Sequence, residues 1–445
     1  MRKLLFGSLI GLAMTACSGG GQGEVVGVSL SPGWTPFTPY GMNYIHLGSF
    51  TMGASDQDVP YAHTTRSKTV SIQSFYIDDM EISNSEYRQF VYWVKDSIAH
   101  RKLGEAGIGE HIIEMNEFGE DLDPPKINWE ERIEWNSDEA REELADMYLP
   151  TSEQFYNRKE LDTRKLNYEY YWVNFKGSSV KANKDLDMSY TNELGQNNAI
   201  RGHVDRGNYV IKEVINVYPD TLAWIHDFTY SSNEPMAQNY FWHPAYDDYP
   251  VVGVTWVQAK AFNVWRSQLI NTFQAQRGDL FLPDFRLPSE AEWEFAARGG
   301  LDGSPYPWGG PYIRNRQGCP LANFKPLRGD YADDGGFHTV RVDRYTPNDY
   351  GLYNMAGNVA EWTNTAFDES VYEFAHDMNP EYDYAAKKDD PPALKRKVIR
   401  GGSWKDVSYY LQTGTRTFEY QDTAKCYIGF RSAMTYLGRG QNVEN

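Results

Sequence analysis

The sequence predicts an α+β fold with much irregular structure and one long insertion. Three observations carry that prediction. Three Ser/Thr-x-x-Glu/Gln boxes each precede an apolar-periodic run, the pattern with which helices open. Short stretches alternate apolar and polar residues, as half-buried strands do. The remainder of the second half is rich in Gly, Pro and Asn, the composition of loops and turns.

Taken in order, the chain opens on Arg2 and Lys3, a short apolar run from Leu4 to Met14, and the small residues Thr15 and Ala16 before Cys17. That pattern predicts a signal peptide over 1–16 and a lipidated Cys17. The apolar run is too short to span a bilayer. Residues 17–33, with Ser18 to Gly23 almost all Gly and Ser, then read as a flexible tether. Several acyl chains, each buried methylene contributing roughly 0.8 kcal/mol, would anchor such a chain firmly. Residues 34–100 form the first part of the body. Met42 to Gly53 and Thr69 to Asp78 read as strands, and the box Ser83-x-x-Glu86 opens a helix that places Tyr87, Phe90, Val91 and Val94 on one face.

Residues 101–242 read as an insertion. Its first part, Glu105 to Asp146, is acidic and reads as a solvated face. Tyr168 to Phe175 and Val214 to Tyr218 are too apolar to stay loose and should pack on the core or on a partner. The body resumes over 243–437, before a tail at 438–445. Thr255-x-x-Gln258 opens a helix presenting Trp256, Ala259, Phe262 and Trp265. Ser289-x-x-Glu292 opens another presenting Trp293 and Ala297. Arg286, Glu290, Glu292 and Arg298 read as capping and ion-pair residues.

Composition sets limits. A formal charge of −18 opposes nucleic-acid binding, since phosphates would repel the chain. Three cysteines, Cys17, Cys319 and Cys426, are no disulfide framework for 445 residues. Cys319 and Cys426 read as buried small hydrophobes or one structural disulfide. The nine histidines show no zinc-ligand spacing.

Several motifs stand in a telling order: Arg286 to Gly300, Tyr306-Pro-Trp-Gly309, Gly351 to Trp362, Arg400-Gly-Gly-Ser-Trp404 and Gly429-Phe-Arg431. Together they resemble the formylglycine-generating enzyme family, the sulfatase-modifying factors. The resemblance implies a fold related to the C-type-lectin-like arrangement. It also implies an oxidase that uses two cysteines of its own, at positions matching about Ser408 and Thr413. No cysteine lies between Lys405 and Thr423, so the resemblance implies no enzyme activity and no bound copper. Calcium is the family chemistry expected to remain, as a structural ion. One implied ligand set is Asn323, the Phe324 carbonyl, Asp334 and the Gly336 carbonyl. The second is the carbonyls of Ala356, Gly357 and Val359 with the Glu361 carboxylate. The competing reading is that Asp334 and Glu361 merely bond to loop amides.

A second, finer resemblance lies outside that skeleton. Ser83 to Ser97, Tyr218 to Phe228, Asn233 to Met236, Ala322 to Tyr331 and Arg400 to Tyr409 are similar to the GldK/PorK family of lipoproteins, which serve gliding motility and type IX secretion in Bacteroidota. This implies a homo-oligomeric periplasmic ring, built with a GldN/PorN-type protein near other components of the secretion machine. Without acidic residues directly after Cys17, the expected place is the periplasmic face of the outer membrane, with contact through the lipid anchor. Two rival readings stand beside it. One is a non-heme metal oxidase or oxygenase of the same superfamily. The other is a glycan- or peptidoglycan-binding module built on Trp293, Trp308, Trp362 and Trp404.

Overall fold

The computed structural model describes residues 37–54, 66–116, 118–179, 187–191, 197–201, 209–230, 234–326, 328–387 and 389–438. The first strands are β1 (Met42–Ile45), β2 (Gly48–Met52), β3 (Lys68–Ile72) and β4 (Phe75–Asp78). Helix α1 (Asn84–Glu105) follows, and its start is fixed by the expected box. Ser83 Oγ accepts from the Glu86 amide at 3.3 Å, while the Glu86 carboxylate accepts from the Ser83 amide at 2.8 Å. Tyr87, Phe90, Val91 and Val94 are all buried on one face.

The insertion folds onto the body. It holds β5 (Ile112–Met115), β6 (Asp121–Ile127), α2 (Asp138–Glu143), β7 (Asn167–Val173), α3 (Phe175–Ser179), β8 (Asp187–Thr191), β9 (Asn197–Arg201), β10 (Val210–Asn216), α4 (Ala223–Asp227) and α5 (Pro235–Asn239). The acidic stretch is more than a solvated face: it forms the antiparallel β5–β6 pair and α2, and Ala140, Leu144 and Met147 pack on Ala99 and Leu103 of α1. The two apolar runs become the antiparallel pair β7–β10, in which Tyr170 stands opposite Glu213. Period-two alternation then splits this ribbon. Tyr168 and Tyr170 enter the core, whereas Tyr171, Val173, Val210 and Val214 face outward.

The second half supplies α6 (Trp256–Arg277), β11 (Phe285–Arg286), α7 (Glu290–Arg298), β12 (Ala360–Ala366), α8 (Val371–Phe374), β13 (Arg396–Arg400), β14 (Thr417–Tyr420), β15 (Ile428–Gly429) and β16 (Ala433–Thr435). Both remaining capping boxes form, at Thr255–Gln258 and Ser289–Glu292. Each of these helices stops at a left-handed glycine, Gly278 and Gly299. Helices α1 and α6 meet through aromatic rings: Tyr87 stacks on Phe262 at 5.6 Å and Phe90 lies 5.2 Å from Trp265.

Two four-stranded sheets organise the body, in the orders β1-β4-β16-β11 and β14-β13-β12-β15. Both mix strands far apart in sequence. One core lies between α1, α6, β12 and the inner face of β7–β10. A second lies between α7 and strands β2, β3 and β4. Trp293, Trp362 and Trp404 are buried in core contacts, and the partly buried Trp308 stacks on Tyr306 at 5.0 Å. The cysteine expectation holds for Cys426, which is buried among apolar residues, and is corrected for Cys319. Cys319 and Cys426 are both free thiols, and Cys319 is exposed.

Because the ribbon shares the main core, the insertion should unfold with the body. Tyr168→Ala should cost about 3–5 kcal/mol. Urea denaturation followed by near- and far-ultraviolet circular dichroism should show one coincident transition. A separate early transition would mean the insertion folds on its own.

Candidate functional site

The motif residues converge on buried charge. Arg431, wholly buried, donates Nε to Glu361 Oε2 and Nη2 to Oε1, both at 2.7 Å. Its remaining donors reach the carbonyls of Asp78 at 3.0 Å and Tyr353 at 2.8 Å. Trp293 Nε1 completes the Glu361 site at 2.7 Å. A second carboxylate, Glu81, lies beside this pair and accepts from Asn354 Nδ2 at 2.9 Å and Asn358 Nδ2 at 3.0 Å. Burial pushes the Glu81 carboxyl up to about 8; Arg431 opposes that rise and Glu361 adds to it. Nothing local in the sequence marks Glu81, which gains its meaning only from partners more than 270 residues away.

The segment from Ser408 to Thr415 lies over a second buried network. Glu290 is paired with Arg400 at 3.4 Å and with Arg416 at 2.5 Å. Glu294 is paired with Arg298 at 2.6 Å and with Arg400. Arg400 also donates to the carbonyls of Thr413 at 2.6 Å and Thr415 at 2.9 Å, which fixes the path of the loop. Ser408 opens a single turn of 3₁₀ helix, and its carbonyl accepts from Tyr306 Oη at 3.1 Å. Thr413 is wholly buried and donates Oγ1 to the Ser304 carbonyl at 3.0 Å. Ser408 and Thr413, the two positions that the resemblance implies, both carry hydroxyls. A hydroxyl neither binds Cu(I) as a thiolate does nor cycles through a disulfide.

The nearest thiol in sequence is set apart chemically as well. Cys426 packs with Trp224, Val252, Val359 and Trp404, and its Sγ lies 3.3 Å from Asp227 Oδ2. Burial first, then Asp227, pushes this thiol well above its ordinary value, which disfavours the thiolate.

The two implied calcium sets differ in fit. Asp334 is partly buried, and its carboxylate meets the amides of Phe324 at 3.3 Å and Gly336 at 2.9 Å. Burial raises its carboxyl and neighbouring Asp333 adds to the rise. Asn323 donates Nδ2 to the His338 carbonyl at 2.6 Å, leaving Oδ1 as the ligand end of that amide. Asp334 thus makes the loop-amide bonds of the competing reading, and unlike Glu361 it has no ion-pair partner among the described residues. The second set fits poorly. Ala356, Gly357 and Val359 offer backbone carbonyls only, and the Glu361 carboxylate is already neutralised by Arg431. Gly357 has a packing reason of its own: at φ 81°, a Cβ there would sit 2.3 Å from the Asn323 carbonyl oxygen. Among the described residues, no three His, Cys, Asp or Glu side chains converge as a metal group. Cys17 lies outside the described residues. One pair escaped the sequence reading: His100 and His111, both buried, with their Nδ1 atoms 3.0 Å apart.

An α+β body whose loops are held by buried ion pairs, with hydroxyls in its candidate redox segment, defines the class. The chain belongs to the sulfatase-modifying factor enzyme 1-like domain family, whose model matches residues 35–436. It is 36% identical over 193 residues to the inactive C-alpha-formylglycine-generating enzyme 2 of Bos taurus, covering 42% of this chain and 50% of that one. The formylglycine-generating enzyme of Bos taurus is 24% identical over 415 residues, covering 91% of this chain and 78% of the enzyme. The match thus spans about half the length of the inactive relative. Among solved structures, PvdO from Pseudomonas aeruginosa aligns at 17% identity with a TM-score of 0.44, covering 88% of this chain and 94% of that one.

Glu81 makes a pH prediction. Its folded value lies above that of the unfolded chain, so the folded state holds a proton that the unfolded state releases. Stability from this group is full below the ordinary carboxylate value and is lost as pH rises toward about 8. The melting temperature of the wild type, measured against Glu81→Gln, should fall progressively between about pH 5 and pH 9. A constant difference would place the proton elsewhere.

Proposed function

We propose that this chain is a non-catalytic lipoprotein, anchored through Cys17 on the periplasmic face of the outer membrane, where it serves as a structural component of a type IX secretion and gliding machine. It would form a homo-oligomeric ring with a GldN/PorN-type partner. The observation that carries the non-catalytic part is the pair of hydroxyl residues, Ser408 and Thr413, where the family's redox thiols would stand. That a family relative is itself named inactive supports it. The assembly part rests on the resemblance of the segments around Ser83, Tyr218 and Ala322. It is supported by an insertion that packs one face of its ribbon on the core and turns Val210 and Val214 outward. A closed ring follows when one patch of a body meets a different patch of its neighbour in a contact that closes.

Anchoring and assembly can be separated. Cys17→Ala should release the chain from membranes while the periplasmic partner still co-purifies. A photoreactive residue at Tyr156 or Val214, both exposed on the insertion, should cross-link to a second copy or to the partner. Retention in the membrane would overturn the anchor. Cross-links confined to the body, with none from the insertion, would overturn the assembly surface.

Calcium, in this reading, is structural and sits on Asn323, Phe324, Asp334 and Gly336. Once bound it would supply positive charge to a partly buried carboxylate and hold the loop from Asn323 to Gly336. Saturating calcium at about one hundred times the dissociation constant should stabilise the protein by about 2.7 kcal/mol. Asp334→Ala should abolish that response in thermal melts. Glu361→Gln should destabilise equally with and without calcium. A response lost with Glu361→Gln and kept with Asp334→Ala would assign the ion to the second set.

A further inference from the structure

Helix α1 and the β5–β6 hairpin are joined by two buried imidazoles. His100, in the last turns of α1, and His111, directly before β5, are each 4% exposed, and their Nδ1 atoms lie 3.0 Å apart. The rings meet edge to face, with 4.9 Å between centres. Trp129, just after β6, lies 5.2 Å from His100 and stacks at 5.2 Å on Trp93 of α1. The hairpin sits close on the helix here: a Cβ on Gly104 would stand 2.6 Å from Ile112 Cγ2.

The contact between the two Nδ1 atoms has one chemical requirement. One ring must carry a proton at Nδ1 and the other a lone pair, because two donors or two acceptors repel at that distance. A first added proton can sit on Nε2 of the donor ring and leave the bond intact. A second must go to the accepting Nδ1, and both atoms then point N–H at each other. The closed pair therefore holds one proton fewer than two separated imidazoles can.

The surroundings do not compensate for that second charge. Burial first, then His111, hold the His100 imidazole below its ordinary value; Asp96 of α1 and Glu131, beyond β6, oppose them. Asp96 is shared with Lys95 at 3.2 Å, and Lys102 turns to Asp146. Arg101, Glu105, Glu110, Glu114 and Lys126, the remaining charged side chains nearest the pair in sequence or across the hairpin, are exposed. Helix α2 meets α1 through Ala140 and the apolar residues that follow it. Since His100 lies below the usual histidine value of about 6.5, the closed contact is fully stabilising above that pH. It loses ground as pH falls below it.

We propose that the His100–His111 pair is an acid-sensitive latch, which holds the β5–β6 hairpin on α1 at neutral pH and lets it go when a second proton enters the pair. Opening uncovers Ile112 and Trp129 on the hairpin and Trp93 on α1, so acid converts a packed lobe into an apolar surface. The device stands independently of the lipid anchor and of the ring.

Amide hydrogen exchange on the full chain, corrected for the intrinsic pH dependence of exchange, tests it between about pH 7.5 and pH 5. One extra proton favours the open form by up to about tenfold for each pH unit below the usual histidine value. Protection of the β5–β6 amides should therefore fall at least about tenfold, while that of α6 and β12 changes less. The double variant His100→Leu/His111→Leu, with an apolar pair in place of the imidazoles, should make hairpin protection indifferent to pH. Should that variant fail to fold, histidine NMR of the wild type decides. The two rings should share one N–H···N bond at neutral pH and lose it together with the hairpin's protection. Hairpin protection unchanged on acidification overturns the proposal. So does an acid loss that persists in the double variant, or a pair that takes both protons while the hairpin stays protected.

Discussion

The structure depends first on the ion pair between Arg431 and Glu361. Both side chains are buried, so each would carry a large desolvation penalty alone. What makes the pair tolerable is completeness. Arg431 places its donors on a carboxylate and on carbonyls from the end of β4 and from Tyr353, while Trp293 of α7 donates to the same carboxylate. One contact set therefore ties β4 of the first sheet, β12 of the second and the helix α7 between them. Removing one partner would strand a buried charge, at a cost of about 3–5 kcal/mol. Replacing the set with apolar residues would require matching four chain segments at once.

Asparagine amides do for the loops what the Arg431–Glu361 pair does for the sheets. Residues 299–359 contain no helix or strand among the described residues, so their backbone groups need partners from elsewhere. Asn348 Oδ1 accepts the amides of Tyr350 and Leu352, while its Nδ2 reaches the Ala296 carbonyl at the end of α7. Asn358 Oδ1 accepts from Val340, and Asn354 Nδ2 serves the Val342 carbonyl. Short amide side chains thus replace secondary structure as the carriers of backbone hydrogen bonds. That is why a body with so much irregular chain can still be well packed.

Legibility in the sequence followed the range of the interactions. The three long helices were readable because a capping box acts over three residues and an apolar face over a few turns. The apolar runs of the insertion were readable as packed segments, since alternation is local. Their pairing with each other across 40 residues, and the choice of which face turns outward, depended on α1 and α6 and could not be read. The sheet order was equally hidden, because β16 inserts between β4 and β11 only after the whole chain has come together. Glu81 and the pair of His100 with His111 share this cause: each looks ordinary until another segment arrives. The expectation of a buried small hydrophobe held for Cys426 and failed for Cys319, for a related reason. Burial is a property of the final position, and Cys319 falls in an exposed turn.

The loop from Ser408 to Thr415 is positioned by its main chain. Arg400 holds the loop from Thr413 to Thr415 through backbone carbonyls, and the main chain of Thr413 donates to Pro305 at 2.8 Å. None of these bonds uses the side chains at 408 or 413. Thr413 adds one hydroxyl bond to Ser304, and the Ser408 side chain adds none to the loop's anchoring. A buried hydroxyl at 413 needs a partner, and the Ser304 carbonyl supplies it. The path of this loop is thus set by its main chain and by Arg400, and not by the identity of the side chains at 408 and 413.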